Sequence, residues 1–195
     1  VINQGFRNIF VADFNGDKLN DILLVGTLGF QLHFQDKKGG FPNNSLHLID
    51  DPFKNKILQV FIYDLNGDKK VDVSYLTTGD NFLKYRLQLD DGSLSAEHTM
   101  EGDRILSGSI SDLDSKNEKS LYLTSIQAKS NAISISKINF ESSDNKSKKI
   151  FGTPEQLLLP ESKKPYNILF EDINGDGTKD IVATTPTAAE ILIYL

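Results

Sequence analysis

Three nine-residue stretches of this chain space their oxygen-bearing side chains identically: Asp13, Asn15, Asp17 and Asp21; Asp64, Asn66, Asp68 and Asp72; Asp172, Asn174, Asp176 and Asp180. Each reads D-x-N-G-D-x-x-x-D. Side chains at positions 1, 3, 5 and 9 can converge on one ion, together with the main-chain carbonyl of position 7, which belongs to Leu19, Lys70 or Thr178. Every donor is an oxygen. Three carboxylates, one amide oxygen and one carbonyl, completed by a bidentate carboxylate or a water to six to eight ligands at about 2.4 Å, suit calcium better than the smaller, strictly octahedral magnesium. Three calcium sites are therefore expected. Gly16, Gly67 and Gly175 at position 4 let the backbone turn sharply between ligands.

Asn-Gly is a strong turn former in its own right, so any one copy could be a plain hairpin turn. Three copies that all keep an acid at position 9 exceed what a turn requires, because clustered carboxylates repel one another unless something neutralises them. An EF-hand loop also opens D-x-N-x-D, but it needs an acid at position 12 and a following helix. Position 12 here is Leu24, Tyr75 or Ala183, and strand-forming residues follow each loop. A fourth, decayed copy runs from Asp112 to Ser120. It keeps Asp112 and Asp114, but Ser115 replaces the glycine, Lys116 the third ligand and Ser120 the last acid. Two ligands are too few, and the lysine ammonium can offset the remaining charge, so this loop is expected to be empty.

The loops sit in a repeat. Their first acids fall at 13, 64, 112 and 172, at intervals of 51, 48 and 60, the longest containing the polar stretch Ser142 to Lys149. Around each loop lie apolar runs of four to seven residues, rich in branched and aromatic types and bounded by Gly, Asn, Asp and Pro. These are strand signals, and no long stretch with a 3.6-residue period calls for a helix. In the first unit the strands are expected at Phe6 to Ala12, Asp21 to Gly26, Gly29 to Gln35 and Ser45 to Ile49. A four-stranded unit recurring about every 50 residues is the signature of a β-propeller blade, whose small sheet buries its faces only against its neighbours. The expected architecture is all-β, a single β-propeller region over 1–195 with blades at about 1–52, 53–102, 103–162 and 163–195. Only 23 residues follow Asp172, so the last blade is read as incomplete and the chain as part of a larger propeller.

Composition narrows the classes. The formal net charge is −6, but nine of the 27 acids lie in the three loops, leaving 18 acids against 21 bases elsewhere. The acidity is local, and no broad basic face favours a nucleic-acid partner. No apolar run reaches the roughly 18 residues that cross a bilayer. The chain opens Val1-Ile2-Asn3 without a leader pattern, so this segment is not expected to insert in a membrane, and any signal peptide or anchor is expected outside it. With no cysteine, disulfides and thiolate metal sites are excluded.

DFNGDKLND, DLNGDKKVD and DINGDGTKD resemble the calcium loops of FG-GAP repeats, also called VCBS repeats, found in integrin α-subunit propellers. The T-cell immunomodulatory protein type and secreted bacterial relatives are similar as well. The resemblance implies calcium in the hairpin between the first two strands of a blade, and extracellular adhesion or protein-recognition roles. The expected function is thus a non-enzymatic, calcium-rigidified scaffold, extracellular or lumenal, that recognises a protein partner. The sequons Asn43-Asn44-Ser45 and Asn145-Lys146-Ser147 agree with that location. The alternatives are the accessory propeller of a secreted hydrolase, or a structural subunit of a larger assembly. Against catalysis within the chain, there is no G-x-S-x-G elbow and no cysteine nucleophile, and His33, His47 and His98 lie on separate expected strands. Asp50-Asp51 and Asp90-Asp91 read as solvated acids beside turns.

Overall fold

The computed structural model describes residues 5–26, 29–43, 46–50, 56–78, 82–100, 104–111, 120–126, 133–140, 149–151, 167–184 and 191–194. The decayed loop 112–119, the stretch 141–148 and most of both sequons lie outside the described residues. The described residues are strands and turns, with no α-helix. The chain divides into two compact units, Val1–Thr99 and Met100–Leu195.

In the first unit, β1 (Phe6–Ala12), β2 (Asp21–Gly26), β3 (Gly29–His33) and β4 (Leu46–Asp50) form one antiparallel sheet in sequence order. A second sheet repeats the plan with β5 (Ile57–Tyr63), β6 (Asp72–Thr77), β7 (Leu83–Arg86) and β8 (His98–Met100). Such four-stranded meanders are the blade-like sheets that the repeat period implied. β3 stops at His33, two residues short of the expected end, because the Gln35 N–H is diverted to the Asp21 carboxylate at 2.9 Å.

Alternation of side chains across each strand divides a sheet into two faces. On one face of the first sheet, register aligns Phe10 with Leu23 and Leu32, and Val25 with Phe30. This rear face packs against the front of the second sheet, where Val60, Ile62, Val73 and Tyr75 lie, in a single cluster that includes Phe14. Tyr75 meets Phe30 edge to face at 4.9 Å between ring centroids, the arrangement aromatic quadrupoles favour. Both faces of β6 are therefore covered, and all six of its residues are buried.

In the second unit, β9 (Arg104–Ser111), β10 (Ser120–Ile126), β11 (Ile133–Phe140) and β12 (Lys149–Phe151) make a four-stranded antiparallel sheet. The sheet of the fourth repeat copy has its strands, and Ser111 pairs with Ser120 at the strand ends that flank residues 112–119. A final sheet has β13 (Asn167–Glu171), β14 (Asp180–Thr184) and β15 (Ile191–Tyr194). Its front residues Ile168, Phe170 and Ala183 cluster with Tyr122 and Ile135 of the preceding sheet. Each unit thus repeats one packing rule: the rear of one sheet receives the front of the next.

Candidate functional site

Each acidic loop joins the first two strands of its sheet, and the three are built from the same hydrogen bonds. At position 1, Asp13 Oδ1 accepts from the Gly16 N–H at 2.6 Å and the Asp17 N–H at 3.2 Å, and its Oδ2 accepts from the Lys18 N–H at 2.8 Å. Asp64 does the same with Gly67, Asp68 and Lys69, and Asp172 with Gly175, Asp176 and Gly177. At position 3, the Asn15, Asn66 and Asn174 amides each donate to the position-5 carboxylate at 3.0 to 3.2 Å and accept its main-chain N–H. At position 5, Asp17, Asp68 and Asp176 accept from the N–H of Leu19, Lys70 and Thr178. These charge-assisted bonds fix the backbone of the loop.

Position 9 plays a different part. Asp21, Asp72 and Asp180 begin the second strand and are buried at 0%, 1% and 2% exposure. Each accepts the N–H of loop position 2, from Phe14 at 2.9 Å, Leu65 at 2.8 Å and Ile173 at 2.9 Å. The other oxygens of Asp21 and Asp72 take the N–H groups of Gln35 and Gln88, both at 2.9 Å. At Asp21 and Asp72 the last acid therefore knots three segments of a sheet together. That knot is a structural reason for its recurrence which spacing alone did not reveal.

Position 6 is a second feature the spacing did not reveal. Lys18 and Lys69 adopt left-handed φ angles of 69° and 68°, whereas the third loop has Gly177 there at 89°. A side chain in this region costs about 1–2 kcal/mol, against about 0.5–1 kcal/mol for the extra freedom glycine loses on folding. Lys18→Gly and Lys69→Gly should each raise stability by about 0.5–1 kcal/mol, and Gly177→Lys should lower it by a similar amount. Chemical denaturation of the three variants checks the signs.

Among the described residues, no three His, Cys, Asp or Glu side chains stand together as a ready metal cage. The structure brings positions 1, 3 and 5 together through the loop's own N–H groups and sets position 9 at the strand entrance. The donor chemistry nevertheless fits a hard cation. All the side-chain donors are oxygens, and each nine-residue loop carries three carboxylates in its sequence. Burial pushes the Asp72 carboxyl up to about 6, and the charges of Asp68 and Asp64 push it the same way, against the N–H bonds from Gln88 and Leu65. Asp21 is shifted upward as well, by burial first and also by Asp17 and Asp13. At Lys70 the side chain donates to Asp90 Oδ1 at 2.5 Å and lies 3.7 Å from Asp68.

A carboxyl whose folded value exceeds its unfolded one binds protons more readily in the native state, so its contribution to stability is full below about 4 and disappears as pH rises through about 6. The ion-free protein should therefore gain up to about 3 kcal/mol from Asp72 as pH falls from 7 to 4. Asp72→Asn should remove that share of the pH dependence, measured as denaturation free energy against pH in chelator.

The second sheet also reaches over the first loop. Gln88 Nε2 donates to the Asp13 carbonyl at 3.2 Å. The turn Leu89–Ser93, closed by Leu89 N–H to Ser93 O at 2.8 Å and Gly92 N–H to Leu89 O at 3.0 Å, brings Gly92 so close that a Cβ there would lie 2.4 Å from the Asn15 carbonyl oxygen. Both loop ends of the contact are main-chain atoms, which explains why side-chain motifs did not flag it. The one signal was Gln followed by Gly four residues on, present in both Gln35–Gly39 and Gln88–Gly92.

Residues 13–75, from the first acid of loop one to the middle of β6, match the family model described as the FG-GAP-like repeat. This stretch is similar to an FG-GAP-like repeat. That match spans the first two acidic loops and the sheet face between them. A search of curated proteins returned no match. No helix among the described residues is long and apolar enough to cross a membrane. As expected, the histidines fall on separate strands, His33 on β3, His47 on β4 and His98 on β8. His98 stacks on Tyr85 with centroids 5.2 Å apart. Asp90 is fully exposed at its turn.

Proposed function

We propose that this FG-GAP-like segment is a calcium-rigidified, non-enzymatic recognition scaffold of an extracellular or lumenal protein. The observation that supports it is the recurrence of one oxygen-only donor set on one backbone frame at Asp13–Asp21, Asp64–Asp72 and Asp172–Asp180. The side chains at positions 1, 3, 5 and 9 would hold the ion, with the position-7 carbonyls of Leu19, Lys70 and Thr178. Calcium, when bound, supplies charge neutralisation and a cross-link within each loop. The protein's own contribution is to keep position 9 at the strand entrance, so that tightening a loop also tightens the first two strands. Loops of this kind can be tuned to about 10⁻⁴–10⁻³ M, which fills them outside cells and leaves them largely empty in cytosol. FG-GAP-like repeats fit a protein-interaction scaffold, and the partner would be a protein chosen by exposed loops.

The test is affinity capture from a secreted-protein fraction, with millimolar calcium or with chelator, alongside a variant carrying Asp64→Ala and Asp68→Ala. A protein retained in calcium and lost both in chelator and on the variant is the expected result. Equal capture under all three conditions would separate recognition from calcium and overturn the proposal.

A further inference from the structure

Two acidic loops of the first unit are joined through one short segment, Gln88 to Ser93. At its start the Gln88 N–H donates to the Asp72 carboxylate at 2.9 Å, and the other oxygen of that carboxylate takes the Leu65 N–H. Asp72 is position 9 of the second loop. Lys70, whose carbonyl stands at position 7 of that loop, donates from its ammonium to Asp90 at 2.5 Å. The same segment closes on the first loop. The Gln88 carboxamide, on a residue only 3% exposed, donates to the Asp13 carbonyl at 3.2 Å, and Gly92 lies against the Asn15 carbonyl. Gln88 thus bonds position 9 of one loop with its N–H and position 1 of the other with its side chain. The Lys70–Asp90 pair is exposed on the Asp90 side and contributes little, so Gln88 is the buried link.

This clasp is braced along its length. Besides the two main-chain bonds that close its turn, Asp91 accepts from both the N–H and the hydroxyl of Ser93. Gln88 bridges to Leu94, which packs on the core cluster. The clasp meets the first loop at the main-chain carbonyls of positions 1 and 3, whereas the donors expected to face a cation there are the side chains of Asp13 and Asn15. Clasp and cation therefore do not compete for the same atoms. The first sheet carries a matched turn, Asp36–Gly40, closed by Asp36 N–H to Gly40 O at 2.8 Å and Gly39 N–H to Asp36 O at 2.9 Å. Gln35 precedes it and gives its N–H to Asp21 as Gln88 does to Asp72, but a Cβ at Gly39 would meet nothing within 4 Å.

We propose that Gln88 is a coupling residue, through which cation binding at Asp64–Asp72 strengthens cation binding at Asp13–Asp21, and the reverse. The inference rests on the calcium reading of the loops. A second loop whose Asp72 is fixed at the strand entrance fixes the Gln88 main chain, and through the carboxamide it fixes the Asp13 main chain. The first loop then has less freedom to lose when its own donors converge, so its affinity rises. Linkage makes the effect reciprocal, with one coupling factor for both directions. Repulsion between two bound cations acts the other way, but the three carboxylates of each loop offset each double charge and leave the ordering effect to set the sign. One buried hydrogen bond corresponds to a factor of about five in an equilibrium constant.

Calorimetric titration of calcium tests it in a chain whose third loop is disabled by Asp172→Ala and Asp176→Ala, so that the first two loops remain. Two further proteins keep one loop each, through Asp64→Ala with Asp68→Ala or through Asp13→Ala with Asp17→Ala. The overall binding constant of the two-loop protein for two ions should exceed the product of the two single-loop constants about fivefold. With Gln88→Met, which keeps the N–H to Asp72 and the side-chain length but donates nothing to Asp13, that excess should vanish. Gln35→Met, at the matched place in the first sheet, should leave it intact. Circular dichroism verifies that each variant folds, and the excess itself is measured with Gln88 unaltered. Two-loop binding equal to the product, or an excess that survives Gln88→Met, overturns the coupling while leaving calcium binding in place. No binding heat from any of these proteins overturns both.

Discussion

Replacing Glu97 by alanine should cost about 3–5 kcal/mol of folding stability. Lys84 stands in the middle of β7 with its side chain 3% exposed, and its ammonium lies 3.7 Å from the Glu97 carboxylate. The same carboxylate accepts a hydrogen bond from the Tyr75 hydroxyl, and Tyr75 is the residue that meets Phe30 at the sheet-on-sheet contact. Withdrawing the carboxylate removes an opposite charge from a buried ammonium and an acceptor from a buried hydroxyl together. Both costs are large because Lys84 and Tyr75 are buried. Urea denaturation reads the loss. Adding Lys84→Met to Glu97→Ala should recover much of it, because an apolar side chain needs no counter-charge. If the double variant is no more stable than Glu97→Ala alone, the ion pair is not the origin of the loss.

Gly92→Ala should cost about 2–4 kcal/mol, from a left-handed backbone and an overpacked contact together. The new Cβ would lie 2.4 Å from a main-chain oxygen of the neighbouring loop, and main-chain atoms cannot rotate aside. Gly39→Ala is the matched control. It shares the turn and the positive φ, but its Cβ meets open space, so it should lose only the backbone share, about 1 kcal/mol. The difference between the two variants isolates the clasp. Equal losses at Gly39 and Gly92 would mean that the clasp contributes nothing.

The sequence made the sheets legible because the loops repeat and the apolar runs around them are short. The bounds of β1 and β2 matched their expected spans, since each abuts an acidic loop whose first and last acids mark the strand ends. The expected end of β3 overshot because Gln35 continues the strand-like composition while its N–H serves Asp21, a bond made across 14 residues that composition does not encode. The clasp was hidden for a related reason: the loop offers it only carbonyl oxygens of Asp13 and Asn15. Lys84 was hidden because a lysine in an alternating strand reads as solvent-facing. In a blade whose two faces are both covered, alternation no longer separates water from core. The dual part of Asp21, Asp72 and Asp180 follows the same pattern. Spacing marks them as oxygen donors, and only the fold shows that each also secures the N–H of loop position 2.

The central claim is that these loops bind calcium, and isothermal titration of calcium into chelator-treated protein, with thermal denaturation alongside, tests it most directly. Three sites are expected from the three intact loops, with a rise in melting temperature and little response to magnesium. Heat and stabilisation should both fall by about one site when Asp64 and Asp68 are replaced together. No binding heat and an unchanged melting temperature would contradict the account, and would leave the three loops as hairpin turns held by their own backbone.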